Sequence, residues 1–267
     1  MPMSKIGINK QWHSGFCGAI ELEFRQEKDL LEFNREYQLS KKPLEMDMLI
    51  IKKWTDAKLT NEIGKIFRKH NIIEYKNPIA SLGVEQFFKG LAYACLYKSL
   101  GKTANEIKSD EITLTFIRDA FLRNLFKWLR KDGYNMECII PGIYYINGPI
   151  AFPVQIVISK ELDSKNHLSL RLLSHRLDIE SARKFVDETT NYKSQGDREN
   201  IDAVLQISVK ANQTVYNRIW REETMCQALR ELMKDQIDEA VSIGRAEGKA
   251  EGVEEGHWSY RGQCQLY

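Results

Sequence analysis

A chain of 267 residues, with 43% hydrophobic, 10% aromatic and 28% charged positions, has the length for one or two domains and enough apolar residues for a sizeable core. This composition excludes wholesale disorder, and 39 Lys+Arg against 37 Asp+Glu, a formal charge of +2, excludes a histone-like basic coat. Any nucleic-acid contact must therefore come from a local patch. Met1 to Trp12 mixes Lys5 and Lys10 with polar residues and lacks the apolar segment of a signal peptide. No run approaches the roughly 18 apolar residues of a membrane span, so a cytoplasmic protein with no membrane partner is expected.

Taken in chain order, Phe16 to Phe33 carries helix formers with Ile20, Phe24, Leu30, Leu31 and Phe33, at only partly regular spacing. A short strand is expected around Tyr37 and Leu39. Pro43 opens a stronger one, Leu44 to Ile51, proline being suited to a strand's first residue. Asn61 to Lys69 reads as a connection with weak helical character, and Asn71 to Tyr75 as a strand closed by Asn77-Pro78. Val84 to Leu100 has apolar residues at helical spacing and ends at Gly101. Glu111 to Ile117 alternates as a strand, and Phe121 to Arg130 is an amphipathic helix stopped by Asp132-Gly133. Gly142 to Ile146 and Phe152 to Ser159 read as a hairpin around Asn147-Gly148, with Pro149 and Pro153 pushing part of it to an edge. Residues 1–160 thus form an α/β (α+β) domain.

After Lys160 the pattern is helical, over Leu168 to Val186, Glu199 to Trp220 and Glu223 to Ile243, with Thr189–Asp197 a polar break. Met225 to Val241 shows a one-sided apolar stripe, which predicts either self-association, a homodimer through the C-terminal helices, or cover for the domain before it. Residues 161–243 are assigned to a helical region and 244–267 to a tail in which Gly244, Gly248, Gly252 and Gly256 recur at intervals of four, with Glu247, Glu251 and Glu255 between them. Glycine weakens a helix, so this tail needs a partner helix or is a charged extension without a role. Residues 257–267 carry no readable signal.

The cysteines Cys17, Cys95, Cys138, Cys226 and Cys264 are far apart and never paired as CxxC, which favours reduced thiols over a disulfide frame or zinc site. Cys17 and Cys95, set among Phe16, Ala19, Tyr93 and Leu96, read as small buried residues. GxxxxGK[ST], GxGxxG and HExxH patterns do not occur, so P-loop, dinucleotide and zincin chemistry lose their usual support.

Two acidic positions are out of place. In the strand Leu44 to Ile51, alternation puts Glu45, Asp47, Leu49 and Ile51 on one face and Leu44, Met46, Met48 and Ile50 on the other. An acid within a largely apolar strand is costly unless it is paired, at an edge or metal-bound. In Ile72-Ile73-Glu74-Tyr75-Lys76, Glu74 and Lys76 share a face at the strand's end, and if the two strands are neighbours they converge with Asp47. Two carboxylates suit a hard divalent ion such as Mg²⁺, and a lysine beside them can position a water or stabilise developing charge. An isolated E-x-K triplet is usually a surface ion pair worth little, so it is the acidic strand before it that gives the pattern weight.

The order helix, strand, strand with Asp, strand with E-x-K, helix resembles the PD-(D/E)XK nuclease superfamily. The wording PLEMDMLIIKK, FRKHNIIEYKNP and FFKGLAYACLYKS resembles a bacterial group in it related to the recombination-promoting nuclease (Rpn, transposase-like) family. The resemblance covers residues 13–160, with Met46 where a proline commonly precedes the aspartate. It implies a restriction-endonuclease-like core, a central mixed sheet flanked by helices. It further implies a Mg²⁺- or Mn²⁺-dependent endonuclease hydrolysing DNA phosphodiester bonds, tied to recombination or mobile elements. Asp47 and Glu74 then become metal ligands, with the Tyr75 main-chain carbonyl a third, and Lys76 positions the water. A helical glutamate completes such sites, Glu21 or, alternatively, Glu23. The other reading of the same fold is a catalytically inactive DNA-binding or assembly protein.

Double-stranded DNA, as partner, would meet basic residues. Arg123, Lys127, Arg130 and Lys131 share one side of a helix opposite Leu122, Leu125, Phe126 and Leu129. Lys65, Arg68, Lys69 and His70 precede the E-x-K strand, and Lys89 shares a helix face with Tyr93, which is more often a core residue. Contacts from such patches are salt-dependent and sequence-neutral, and either patch alone also reads as an ordinary solvated face.

Overall fold

The computed structural model describes residues 5–37, 45–189 and 194–222. The first helix, α1 (Lys5–Glu23), gives way to a tight turn and then to strand β1 (Leu31–Arg35), so the helical pattern expected through Phe33 ends ten residues earlier. The turn is held by Glu27, whose buried carboxylate accepts the Thr60 hydroxyl (2.6 Å) and the amides of Thr60 and Asn61. From Phe16 to Ile20 α1 is buried almost all round. One side meets the sheet, with Phe16 stacked on Tyr75 at 4.5 Å. The other meets helix α6 (Gln195–Ala211) so closely that a Cβ on Gly15 would sit 2.7 Å from Ile207 and one on Gly18 2.8 Å from the Asn200 carbonyl. A helix covered on two sides has no single apolar stripe, which explains its irregular spacing.

Strands β2 (Met48–Lys52), β3 (His70–Lys76), β4 (Ile112–Arg118), β5 (Asn135–Ile140), β6 (Ile143–Asn147) and β7 (Val154–Ile158) complete a mixed sheet of order β1-β2-β3-β4-β7-β6-β5. Pairing is antiparallel except for β3–β4 and β4–β7. The parallel pair β3–β4 is joined by the crossover helix α2 (Val84–Lys98), as a parallel connection requires. Helix α3 (Arg123–Lys131) follows β4. Leu49, Ile72, Leu114, Phe116 and Ile156 on one sheet face pack with Phe87, Ala94, Phe126 and Leu129 from α2 and α3 to form the main core. The opposite face carries a buried polar row, in which the Thr113 hydroxyl donates to Asn71 and the Gln155 amide to the Thr115 hydroxyl and the Ile63 carbonyl. This row fastens the 61–68 connection to the sheet.

Several expectations are corrected. Tyr37 lies beyond β1, and its carbonyl accepts the Met46 amide; Leu39 lies outside the described residues. The Leu44–Ile51 strand begins only at Met48, because the chain bends at Asp47 after an isolated bridge at Glu45. The hairpin strands form as expected, but β7 lies between β4 and β6 and is wholly buried, and the edge on that side of the sheet is β5. Pro149 and Pro153 sit in the β6–β7 connection. Leu168–Val186 is two helices, α4 (Leu168–Arg171) and α5 (Ile179–Thr189), because Asp178 accepts the Ser181 amide at 2.7 Å and starts α5 afresh. Glu199–Trp220 likewise splits into α6 and α7 (Gln213–Glu222) at Asn212, whose side chain is spent on Leu177, Ser174 and Ser208. Cys17 is buried, whereas Cys95 is exposed.

Residues through Arg221 belong to one compact unit. Among the described residues no helix is long and apolar enough to cross a membrane. The Met225–Val241 stripe, the homodimer expected through it and the glycine-glutamate tail lie outside the described residues.

Candidate active site

The β2–β3 register, Met48 opposite Ile73, brings Asp47 beside Glu74. The bend at Asp47 ends this ladder at Ile73, three residues before β3 itself ends at Lys76. The Tyr75 amide therefore finds no strand partner on that side and donates to Asp47 Oδ2 at 2.7 Å. The Asp47 amide in turn points at Glu74 Oε1, 3.4 Å away. Asp47, Leu49 and Ile51 share a face as expected, but Met46 joins the same core as Leu49 because the bend breaks the alternation.

Lys76 closes the group. Its Nζ lies 3.3 Å from Glu74 Oε2 and 3.9 Å from Asp47 Oδ2. Glu74 is 4% exposed. Burial, reinforced by the Asp47 charge, raises its carboxyl to about 7 against the pull of Lys76 in the other direction. A pair of acids held this close thus favours a cation between them or a proton on one.

Helix α1 also reaches this end of the sheet. His13 Nδ1 is 3.7 Å from Asp47 Oδ1 and its Nε2 3.4 Å from Glu36 Oε1, with Cys17 Sγ 3.6 Å from the same nitrogen. Burial raises the Cys17 thiol to about 12, so it stays protonated. The sequence reading missed His13, because a lone histidine in a helix carries no spacing signal.

The helical glutamates do not join the group. Glu21 is bound by Arg35 (2.6 Å) and accepts from Asn200 at 2.8 Å. Glu23 is buried against His167 and Ser169, each at 2.6 Å. Their carboxylates already serve to fasten α1 to β1, α4 and α6.

The basic residues are dispersed. Lys89, exposed on α2, stands 5.3 Å over the Tyr93 ring and is raised by its hydrogen bond to Tyr93, with the charges of Glu74 and Asp47 adding to the effect. Tyr93 itself is core. Arg123, Lys127, Arg130 and Lys131 line the exposed side of α3, with Leu125, Phe126 and Leu129 buried. Lys65, Arg68 and Lys69 precede the start of β3, whereas Glu74 and Lys76 stand at its end, a separation of about 20 Å at strand rise. His70 is buried against the Tyr97 hydroxyl at 2.8 Å, and burial lowers its pKa.

Among the described residues no three His, Cys, Asp or Glu side chains form a metal cage. A magnesium ion does not require one, since it is commonly held by one or two carboxylates together with waters and substrate phosphate. The Asp47–Glu74 donor pair fits that demand. No family model matches the chain, and neither a curated protein nor a solved structure is found to be similar to it.

Proposed function

We propose that the protein is a metal-dependent endonuclease of the PD-(D/E)XK type that hydrolyses phosphodiester bonds in DNA. The observation that carries this reading is the convergence of Asp47, Glu74 and Lys76 at one end of two adjacent strands, with Glu74 raised by burial and by Asp47. The mixed sheet with a helix before it and a crossover helix after β3 supports a restriction-endonuclease-like core.

Asp47 and Glu74 would hold Mg²⁺ or Mn²⁺. The Tyr75 carbonyl is a further donor, since the N–H and C=O of one strand residue point to the same side and its N–H already meets Asp47. When bound, the metal polarises a phosphate oxygen and acidifies a coordinated water. The protein's own residues do the rest. Lys76 reaches both carboxylates, and its ammonium would position an attacking water and meet the negative charge growing on the phosphoryl oxygens. The water gives up one proton as its oxygen bonds to phosphorus, one ester P–O bond breaks, and the departing alkoxide takes up one proton, so the reaction leaves a phosphomonoester and an alcohol end. Lys89 adds positive charge near the same face. A link to recombination or mobile elements rests on the resemblance alone.

Nicking of supercoiled plasmid tests the reading. Cleavage that needs Mg²⁺ or Mn²⁺, stops with EDTA and disappears in Asp47→Ala is the expected result. A folded parent that binds DNA and never nicks it would instead leave a silent DNA-binding protein.

A further inference from the structure

We infer that Arg118 and Lys160, tied together by the buried Asp119, seat a second backbone phosphate of the nucleic acid, beside the one presented to Asp47 and Glu74; the inference rests on the nuclease reading.

The placement follows from the sheet. Lys76 and Arg118 are register partners across the parallel β3–β4 pair, so Arg118 leaves the sheet on the same face and at the same edge, about 5 Å further along. Arg118 is in turn the partner of Ile158 on β7, and two residues later the Lys160 amide donates to the Asp119 carbonyl at 3.3 Å. Lys76, Arg118 and Lys160 thus step along the carboxyl ends of three consecutive parallel strands. The crevice outside such carboxyl ends is where open α/β sheets take their ligands.

Asp119 is 4% exposed. Its Oδ2 lies 3.2 Å from Lys160 Nζ and accepts from the Ser174 hydroxyl at 3.4 Å, while its Oδ1 faces Arg118 Nε at 3.9 Å. Oδ1 and Nε, together with the hydroxyl of neighbouring Tyr75, are buried and have no hydrogen-bond partner among the described residues. Unpartnered buried polar atoms are costly, and three around one carboxylate mark a place built for something other than packing. One carboxylate between two cations leaves one positive charge, which matches the single negative charge of a phosphodiester. The guanidinium remains partly open to solvent and has the fork that phosphate oxygens prefer.

The test measures DNA binding in EDTA, where no cleavage occurs, by fluorescence anisotropy across a range of KCl. Each of R118Q and K160Q is expected to lower the slope of log affinity against log salt by about one, and the double variant by about two. R118K keeps the parent slope, and so does K102Q, a change at an exposed lysine beyond α2. Melting curves establish that each variant is folded. In Mg²⁺, R118Q raises KM several-fold with kcat retained. A parent that binds and nicks, with R118Q and K160Q keeping its salt slope, overturns this inference and leaves the nuclease reading standing. A parent that neither binds nor nicks DNA overturns both.

Discussion

The backbone amide of Tyr75 donates to the carboxylate of Asp47 across 2.7 Å, where a longer β2 would have offered a carbonyl. One side chain thus finishes the ladder and stands as half of an acidic pair with Glu74. The two duties separate by substitution. Asp47→Asn keeps an oxygen for Tyr75 and should stay within about 1 kcal/mol of the parent in urea unfolding, whereas Asp47→Ala strands a buried N–H and should lose about 1–3 kcal/mol. Both should abolish plasmid nicking. A Asp47→Asn protein as active as its parent would remove Asp47 from the chemistry, and a Asp47→Ala protein of unchanged stability would remove it from the ladder.

The contact between α1 and α6 makes a second prediction. A Cβ at Gly18 would lie 2.8 Å from the Asn200 carbonyl oxygen, a backbone atom that cannot swing aside, while one at Gly196, also in α6, would meet nothing within 4 Å. Gly18→Ala should therefore destabilise by about 1–3 kcal/mol, through forced separation of the two helices. Gly196→Ala should stabilise by about 0.5–1 kcal/mol, because alanine gives up less backbone freedom in a helix. Denaturant midpoints of the two variants moving in the same direction would contradict this packing.

Asp47 and Glu74 are legible in the sequence because each sits in or beside a short apolar strand where a charge is out of place, and Lys76 because a two-residue step keeps a strand's face. The sheet is legible where strands are covered on one or both sides, as β3 and β4 are. Strand β5 is not, since it is an edge with four of its six residues exposed and so has little apolar alternation to read. Partners distant in sequence are equally hidden. Glu21 looks available until Asn200, 179 positions further on, is found bonded to it. His13 meets Asp47 only because α1 crosses that end of the sheet. Arg118 gains its meaning from parallel pairing with Lys76, which no local pattern announces.

Burial separates the cysteines by reactivity. Cys17 lies wholly inside and its thiol is raised to about 12 by that burial, whereas Cys95 and Cys138 are exposed. A maleimide at neutral pH should label Cys95 and Cys138 within minutes and leave Cys17 unmodified until denaturant is added, because the thiolate is the reacting species. Peptide mass mapping in a Cys226→Ser, Cys264→Ser background reads the result. Labelling of native Cys17 at the rate of Cys95 would show that α1 opens readily.

Histidine 167 supplies a pH-dependent fastening far from the acidic pair. Its ring is 1% exposed, with Nδ1 2.6 Å from Glu23 Oε2 and Nε2 3.1 Å from Glu62 Oε2. Burial alone would lower its pKa, but the hydrogen bond and charge of Glu23, with Glu62 beside it, outweigh burial and hold it above the ordinary histidine value. A folded-state pKa above the unfolded one means that the native protein binds the proton more tightly. The resulting stability is fully present below the ordinary histidine value, about 6.5, and is lost as pH rises through the raised folded value. His167→Gln should therefore melt below the parent at about pH 6, with the gap narrowing as the medium becomes alkaline. A gap that stays constant from acid to alkali would mean that His167 is neutral throughout, and that Glu23 holds it by hydrogen bonding without charge.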